Sequence, residues 1–189
     1  MKRLFVSINI PVEIKSRLRR QVEVLKDLFP SARFMDEKNW HITLVFLGYQ
    51  DDSALIPITK SIQEAANNFS ISEINLSNIS YGPIKGTPKM LWLNVALESS
   101  RLLSPIKIFL EDVLIKNGVG FKIENRIFNA HITLARFEEK IKENLPELPK
   151  NFEKLDWKFN AESLDLMESR LSKRGAEYEI LQKYVFEGE

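Results

Sequence analysis

The tetrapeptide His41-Ile42-Thr43-Leu44 recurs unchanged as His131-Ile132-Thr133-Leu134, and these are the only two histidines among 189 residues. In an extended chain successive side chains point to opposite faces. Each copy therefore sets an imidazole beside a hydroxyl on one face and two apolar side chains on the other. Two such strands facing each other across a cleft would bring together two imidazoles and two hydroxyls. The order of the flanking elements repeats as well. Each copy follows a strand and a helix, so the chain reads as an internal duplication with one motif per half.

Arg3 to Ile10 alternates Leu4, Val6, Ile8 and Ile10 with Phe5, Ser7 and Asn9, the pattern of a strand. Pro11 opens a helix to about Phe29, with Ile14, Leu18, Val22, Leu25 and Phe29 on one face. The first motif lies in a strand over 40–47 that Gly48 closes. Asp51, Asp52 and Ser53 then offer caps to a helix carrying Leu55, Ile58, Ile62, Ala65 and Phe69, with Pro57 close to its start. Strands are expected near 71–80 and 89–97. A third helix follows from about Ser100 to Lys116, with a stripe of Leu102, Leu103, Ile106, Phe109, Leu110, Val113 and Leu114, ended by Asn117-Gly118. Short strands near 119–124 and 130–137 carry the chain into the second motif. Two last strands, 156–168 and 177–186, flank the turn Ser172–Gly175.

Composition narrows the chemistry. The absence of cysteine removes disulfides, thiolate metal sites and thiol nucleophiles. A net charge of +1 supplies no general attraction for a polyanion, so a phosphate-bearing partner must be held by a local site. The N-terminal apolar stretch is broken by Ser7, Asn9 and Pro11 and reads as a strand, not a signal peptide. No apolar run reaches the ~18 residues of a membrane span. A cytoplasmic protein is expected, with no membrane association and no obligate protein partner.

The repeated motif suits a phosphodiester. An imidazole titrates near neutral pH, so one activates a nucleophile while the other protonates the leaving oxygen. The Thr43 and Thr133 hydroxyls are donors for the non-bridging oxygens. Threonine is a poor metal ligand, and no cofactor or metal is expected. Symmetry alone does not say which histidine is acid and which base.

At these residues the sequence resembles the two-histidine phosphoesterase superfamily, and more closely its LigT-like branch, the RNA 2′,3′-cyclic phosphodiesterases also called 2′-5′ RNA ligases. Asn39, His41, Thr43, Leu44, Phe46, Leu47 and Gly48 match the segment N-x-H-x-T-L-x-F-L-G. His131, Thr133, Leu134, Ala135 and Arg136 match H-x-T-L-A-R. Weaker matches are Arg3-Leu4-Phe5 and Pro11 at the opening, Leu91-Trp92-Leu93 in a middle strand, and Ser169, Leu171, Gly175 and Tyr178 in the closing hairpin. Asn129-Ala130 departs from the proline usual before the second histidine.

The resemblance implies an α+β, bilobal fold: two antiparallel β-sheets related by a pseudo-twofold, helices outside and the active-site cleft between the lobes, with residues 1–189 as one domain. It implies hydrolysis of RNA 2′,3′-cyclic phosphate ends to 2′-phosphomonoesters, His41 as proton donor and His131 as proton acceptor, and 2′-5′ RNA ligation with the same groups. It also implies a phosphate or terminal-nucleotide contact at Arg136. Strand alternation places Arg136 on the face opposite His131 and Thr133, where an ion pair is the competing role. Phe5 and Tyr81 are candidates for a base platform, with core packing as the alternative. Lys89, Lys173 and Arg174 are candidates to follow an RNA backbone, or simply solvated charges. Two rival functions use the same motif: turnover of another 2′-linked phosphodiester, such as 2′-5′ oligoadenylate or an ADP-ribose cyclic phosphate, and non-catalytic binding of RNA ends or nucleotides.

Overall fold

Leu4, Val6 and Ile8 point to one side of the first strand and Phe5 and Ser7 to the other, and all five are buried. That strand is therefore covered on both faces, by helices behind and by the site in front. The computed structural model describes residues 1–70, 73–83, 86–124, 127–137, 145–172 and 175–187. Lys173 and Arg174 lie outside them.

The strands are β1 (Lys2–Asn9), β2 (Arg33–Phe34), β3 (His41–Gln50), β4 (Ile74–Gly82), β5 (Met90–Val95), β6 (His131–Arg136), β7 (Trp157–Phe159), β8 (Ser163–Ser172) and β9 (Gly175–Val185). The helices are α1 (Val12–Leu28), α2 (Leu55–Asn68) and α3 (Leu97–Lys116). The strands pair in the order β7-β4-β5-β6-β3-β1-β8-β9, with β2 also on β6. Among the described residues the expected two sheets are thus joined as one nine-stranded sheet. Its halves, β3-β1-β8-β9 and β6-β5-β4-β7, join at the antiparallel pair Ile42–Ile132. The duplication is visible in the connections: β1-α1-β3 in one half has the order of β5-α3-β6 in the other.

The helices form where the apolar spacing places them. Pro11 caps α1 in an extended conformation, and Ile14, Leu18, Val22 and Leu25 are buried. Asp51 accepts hydrogen bonds from the Ser53 and Ala54 amides ahead of α2. Pro57 falls in the first turn of that helix, where an amide proton has no intrahelical acceptor, so it is tolerated. On α3, Leu103, Ile106, Leu110, Val113 and Leu114 join the core, whereas Leu102 is exposed, one position off the buried stripe. Gly118, at φ +77°, takes the left-handed conformation that ends the helix. A fully buried Leu or Ile contributes ~1.5–3 kcal/mol, so these faces, more than helix propensity, hold the layers together.

Two local expectations are corrected. Residues 119–124 form no strand; only Val119 among them is buried, so the segment has no apolar face to lay against a sheet. Gly48 does not close β3, which runs on to Gln50; its φ of +73° serves a bulge that leaves Leu47 without a partner on β1.

Candidate active site

Both motifs have the same burial sequence, with the histidine and threonine half-buried, the two residues after each threonine buried and the sixth position exposed. Their registers agree as well. On β1, Asn9 faces His41, Ile8 faces Ile42 and Ser7 faces Thr43; Leu44 is skipped, then Val6 faces Val45 and Phe5 faces Phe46. On β5, Asn94 faces His131, Leu93 faces Ile132 and Trp92 faces Thr133; Leu134 is skipped, then Leu91 faces Ala135 and Met90 faces Arg136.

Each motif thus contains a one-residue bulge at its leucine, and a bulge resets which face later side chains occupy. Arg136 returns to the face of His131 and Thr133, which removes the objection from strand alternation. Among the described residues no carboxylate pairs with it. Phe46, its counterpart in the other half, is 51% exposed on the face of His41 and Thr43.

The antiparallel meeting of β3 and β6 brings both motifs to one cavity of about 810 Å³, lined by His41, Thr43, His131 and Thr133 together with Phe46, Lys89 and Arg136. The cavity extends toward α3, where Lys107 and Glu111 form a buried ion pair at 2.5 Å. Among the described residues no three His, Cys, Asp or Glu side chains gather as a metal centre would need.

The imidazoles are oriented alike. His41 Nδ1 lies 2.7 Å from the Asn39 carbonyl oxygen and His131 Nδ1 lies 2.7 Å from that of Asn129. A carbonyl only accepts, so each Nδ1 carries a proton and Nε2 is the nitrogen left to exchange protons. Asn129, part of the departure from the usual proline, supplies this acceptor from its backbone. Asn39 is itself anchored to the closing hairpin: its side-chain amide donates to the Ala176 carbonyl at 3.1 Å, and its side-chain oxygen accepts from the Tyr178 amide at 3.2 Å. His41 Nε2 meets Thr43 Oγ1 at 3.0 Å.

The rings behind the histidines differ. Phe5 lies 4.9 Å from His41 and Tyr178 stands edge-on to it at 5.1 Å. His131 stacks on Trp92, 3.8 Å between centroids. Burial pushes the His41 imidazole down to about 4, with the His131 charge adding to this and the Asn39 hydrogen bond opposing it.

Of the candidates named from sequence, His41, Thr43, His131, Thr133, Arg136 and Lys89 line the cavity. Phe5 and Tyr81 do not. Phe5 is 2% exposed beneath His41, because the rings of Phe46 and Tyr178 also pack on it. Tyr81 packs against Phe29 and Phe137, donates its hydroxyl to the Pro146 carbonyl, and has its phenol pushed up to about 12 by burial. Both are packing residues, not base platforms. Sequence reasoning passed over Phe46 and Tyr178, although both stood within the matched motifs; their role depends on the bulge and on the distant hairpin.

Comparison with known proteins assigns the family and the fold. The family model described as LigT like Phosphoesterase matches residues 8–92 and 111–178. An RNA 2′,3′-cyclic phosphodiesterase of Thermotoga maritima is 25% identical over 189 residues, covering 98% of this chain and 96% of the relative. A protein of the same description from Thermus thermophilus is 26% identical, covering 99% of this chain and 91% of its own length. Among solved structures, TT0787 of Thermus thermophilus superposes with a TM-score of 0.81 at 25% identity, over 99% of both chains. E. coli LigT complexed with 3′-AMP shares the fold, with a TM-score of 0.71 at 22% identity over 98% of both chains.

Proposed function

The chain belongs to the LigT-like phosphoesterase family, and on that basis we propose that it opens 2′,3′-cyclic phosphate ends of RNA to 2′-phosphomonoesters by acid–base catalysis from its two histidines. One observation carries this reading: two imidazoles in one cavity, each with Nδ1 committed to a backbone carbonyl and each accompanied by a threonine two residues on. A cleft that only bound nucleotides would have no need of two imidazoles presented to one cavity.

In the proposed reaction a water oxygen attacks phosphorus while His131 Nε2 takes its proton. The bond from phosphorus to O3′ breaks, and His41 Nε2 delivers a proton to that oxygen. The product is a 2′-phosphate beside a free 3′-hydroxyl, and a proton passed from His131 to His41 resets the pair. The same groups serve ligation when an RNA 5′-hydroxyl replaces water. Thr43, Thr133 and Arg136 stabilise the non-bridging oxygens as charge builds there. In the free protein His41 is neutral at pH 7, with its value lowered to about 4. A phosphodiester anion in contact favours the protonated form, so the acid is loaded as substrate binds. Phe46, exposed at the rim, is the platform for the terminal base.

The test is hydrolysis of a short RNA ending in a 2′,3′-cyclic phosphate by the wild type, His41→Ala and His131→Ala, with EDTA present and the product isomer identified. The reading expects a 2′-phosphate, loss of ~10²–10⁴-fold in each variant, and no effect of EDTA. Retention of most activity by both variants would sink it. If 2′-5′ oligoadenylate or an ADP-ribose cyclic phosphate is turned over faster than RNA, the chemistry stands and the substrate changes.

A further inference from the structure

Trp92 is 6% exposed, and its Nε1 donates to nothing among the described residues. A buried N–H without an acceptor costs stability, so it is the faces of this ring that the site uses. One face stacks on His131, at 3.8 Å between centroids and 24° between planes. The two residues are not direct cross-strand partners: Thr133 faces Trp92 and Asn94 faces His131. The indole reaches its imidazole diagonally along the sheet.

The other face rests on β4. A Cβ at Gly82 would lie 2.2 Å from Trp92 Cδ2, 2.4 Å from Cε2 and 2.6 Å from Cε3. These three atoms surround the ring fusion, so the approach is onto the face and not the rim. Glycine is needed at this position for space, since its φ is not among the positive ones. Any side chain there would lift the indole by about 1 Å to restore ordinary contact, directly into the imidazole.

His131 is tethered at Nδ1 by the Asn129 carbonyl. That hydrogen bond fixes the position of one ring atom, whereas a stacked aromatic face constrains the plane of the whole ring. We propose that Trp92, backed by the bare α-carbon of Gly82, is a positioning residue for His131, supplying a flat wall that sets the plane of its imidazole. The inference rests on the proposed function for its catalytic consequence, and on the stacked geometry alone for its structural one. His41 is held otherwise, by Phe5 and the edge of Tyr178, so a change at Trp92 acts on one histidine only.

The experiment compares the wild type with Trp92→Leu, Trp92→Phe and Gly82→Ala, reading steady-state kinetics on the cyclic phosphate and the imidazole proton resonances. The chain has only two histidines, so each ring is followed separately. Stacking on an indole shifts the His131 ring protons upfield. In Trp92→Leu these resonances move downfield while those of His41 stay, kcat falls about tenfold or more, and KM stays within about threefold. Trp92→Phe, which keeps a flat face, recovers most of kcat, and Gly82→Ala behaves like Trp92→Leu. Unmoved His131 resonances in Trp92→Leu, or a kcat within about twofold of wild type, overturn the proposal, as does a Trp92→Phe variant as impaired as Trp92→Leu. Should Trp92→Leu fail to fold, Gly82→Ala probes the same contact from the far side of the ring. A wild type without turnover refutes the proposed function, while the resonance shifts still decide whether the indole holds the imidazole.

Discussion

Ile42 of β3 and Ile132 of β6 are direct cross-strand partners, and their pairing joins the two halves of the sheet. Both are fully buried, so the residues on either side of each, His41 and Thr43 or His131 and Thr133, turn to the opposite, cleft face. The apolar half of the repeated tetrapeptide is the joint, and the polar half is the site.

Which histidine is the acid can be separated by the leaving group. A p-nitrophenolate needs no proton to depart, whereas the ribose O3′ does. His41→Ala should therefore lose ~10²–10⁴-fold on the cyclic phosphate and distinctly less on bis(p-nitrophenyl) phosphate. His131→Ala should be impaired on both. If His131→Ala is the variant spared, the two roles are exchanged.

Stability should fall on acidification because His41 is held neutral. Its value drops from 6.5 in the unfolded chain to about 4 in the fold, so between these pH values the unfolded state binds the extra proton. Stability then rises with pH across that window and is lost as pH falls from about 6.5 toward 4, by on the order of 3 kcal/mol. Urea unfolding at pH 7 and at pH 4.5 should show His41→Gln losing less than the wild type. Parallel losses in the two proteins would show that the buried imidazole is not the cause.

Arg136 and Phe46 occupy matching register positions, and they should fail differently. Arg136→Ala removes an interaction with charge that grows during reaction, so kcat/KM on the cyclic phosphate should fall by about tenfold or more, with Arg136→Lys between. Phe46→Ala removes a stacking face worth ~1–3 kcal/mol per base, so KM should rise about tenfold or more with kcat little changed. A nucleotide-independent effect of Phe46→Ala, seen equally on bis(p-nitrophenyl) phosphate, would rule out stacking on the base.

Much of the site was legible from the chain alone. The alternation in His41–Leu44 and His131–Leu134 is a local property of extended backbone, so it placed two imidazoles and two hydroxyls on strand faces without knowledge of the fold. The apolar stripes of α1 and α3 likewise announced the helices that follow β1 and β5, because a 3.6-residue period is written within each segment. The charge near zero and the absent cysteine narrowed the chemistry before any geometry was known.

Other features required the tertiary structure, since they depend on residues far apart in sequence. The bulges at Leu44 and Leu134 arise from register against β1 and β5, and they alone return Arg136 and Phe46 to the cleft. Phe5 looked like a cleft residue on alternation, yet Phe46 and Tyr178 close over it. The carbonyls that fix the histidine tautomers are backbone groups with no side-chain signature. The lowered value of His41 comes first from burial, a property of everything packed around it. A single strand determines which side chains share its face; what lies opposite, beneath and around them is decided only when distant strands pair.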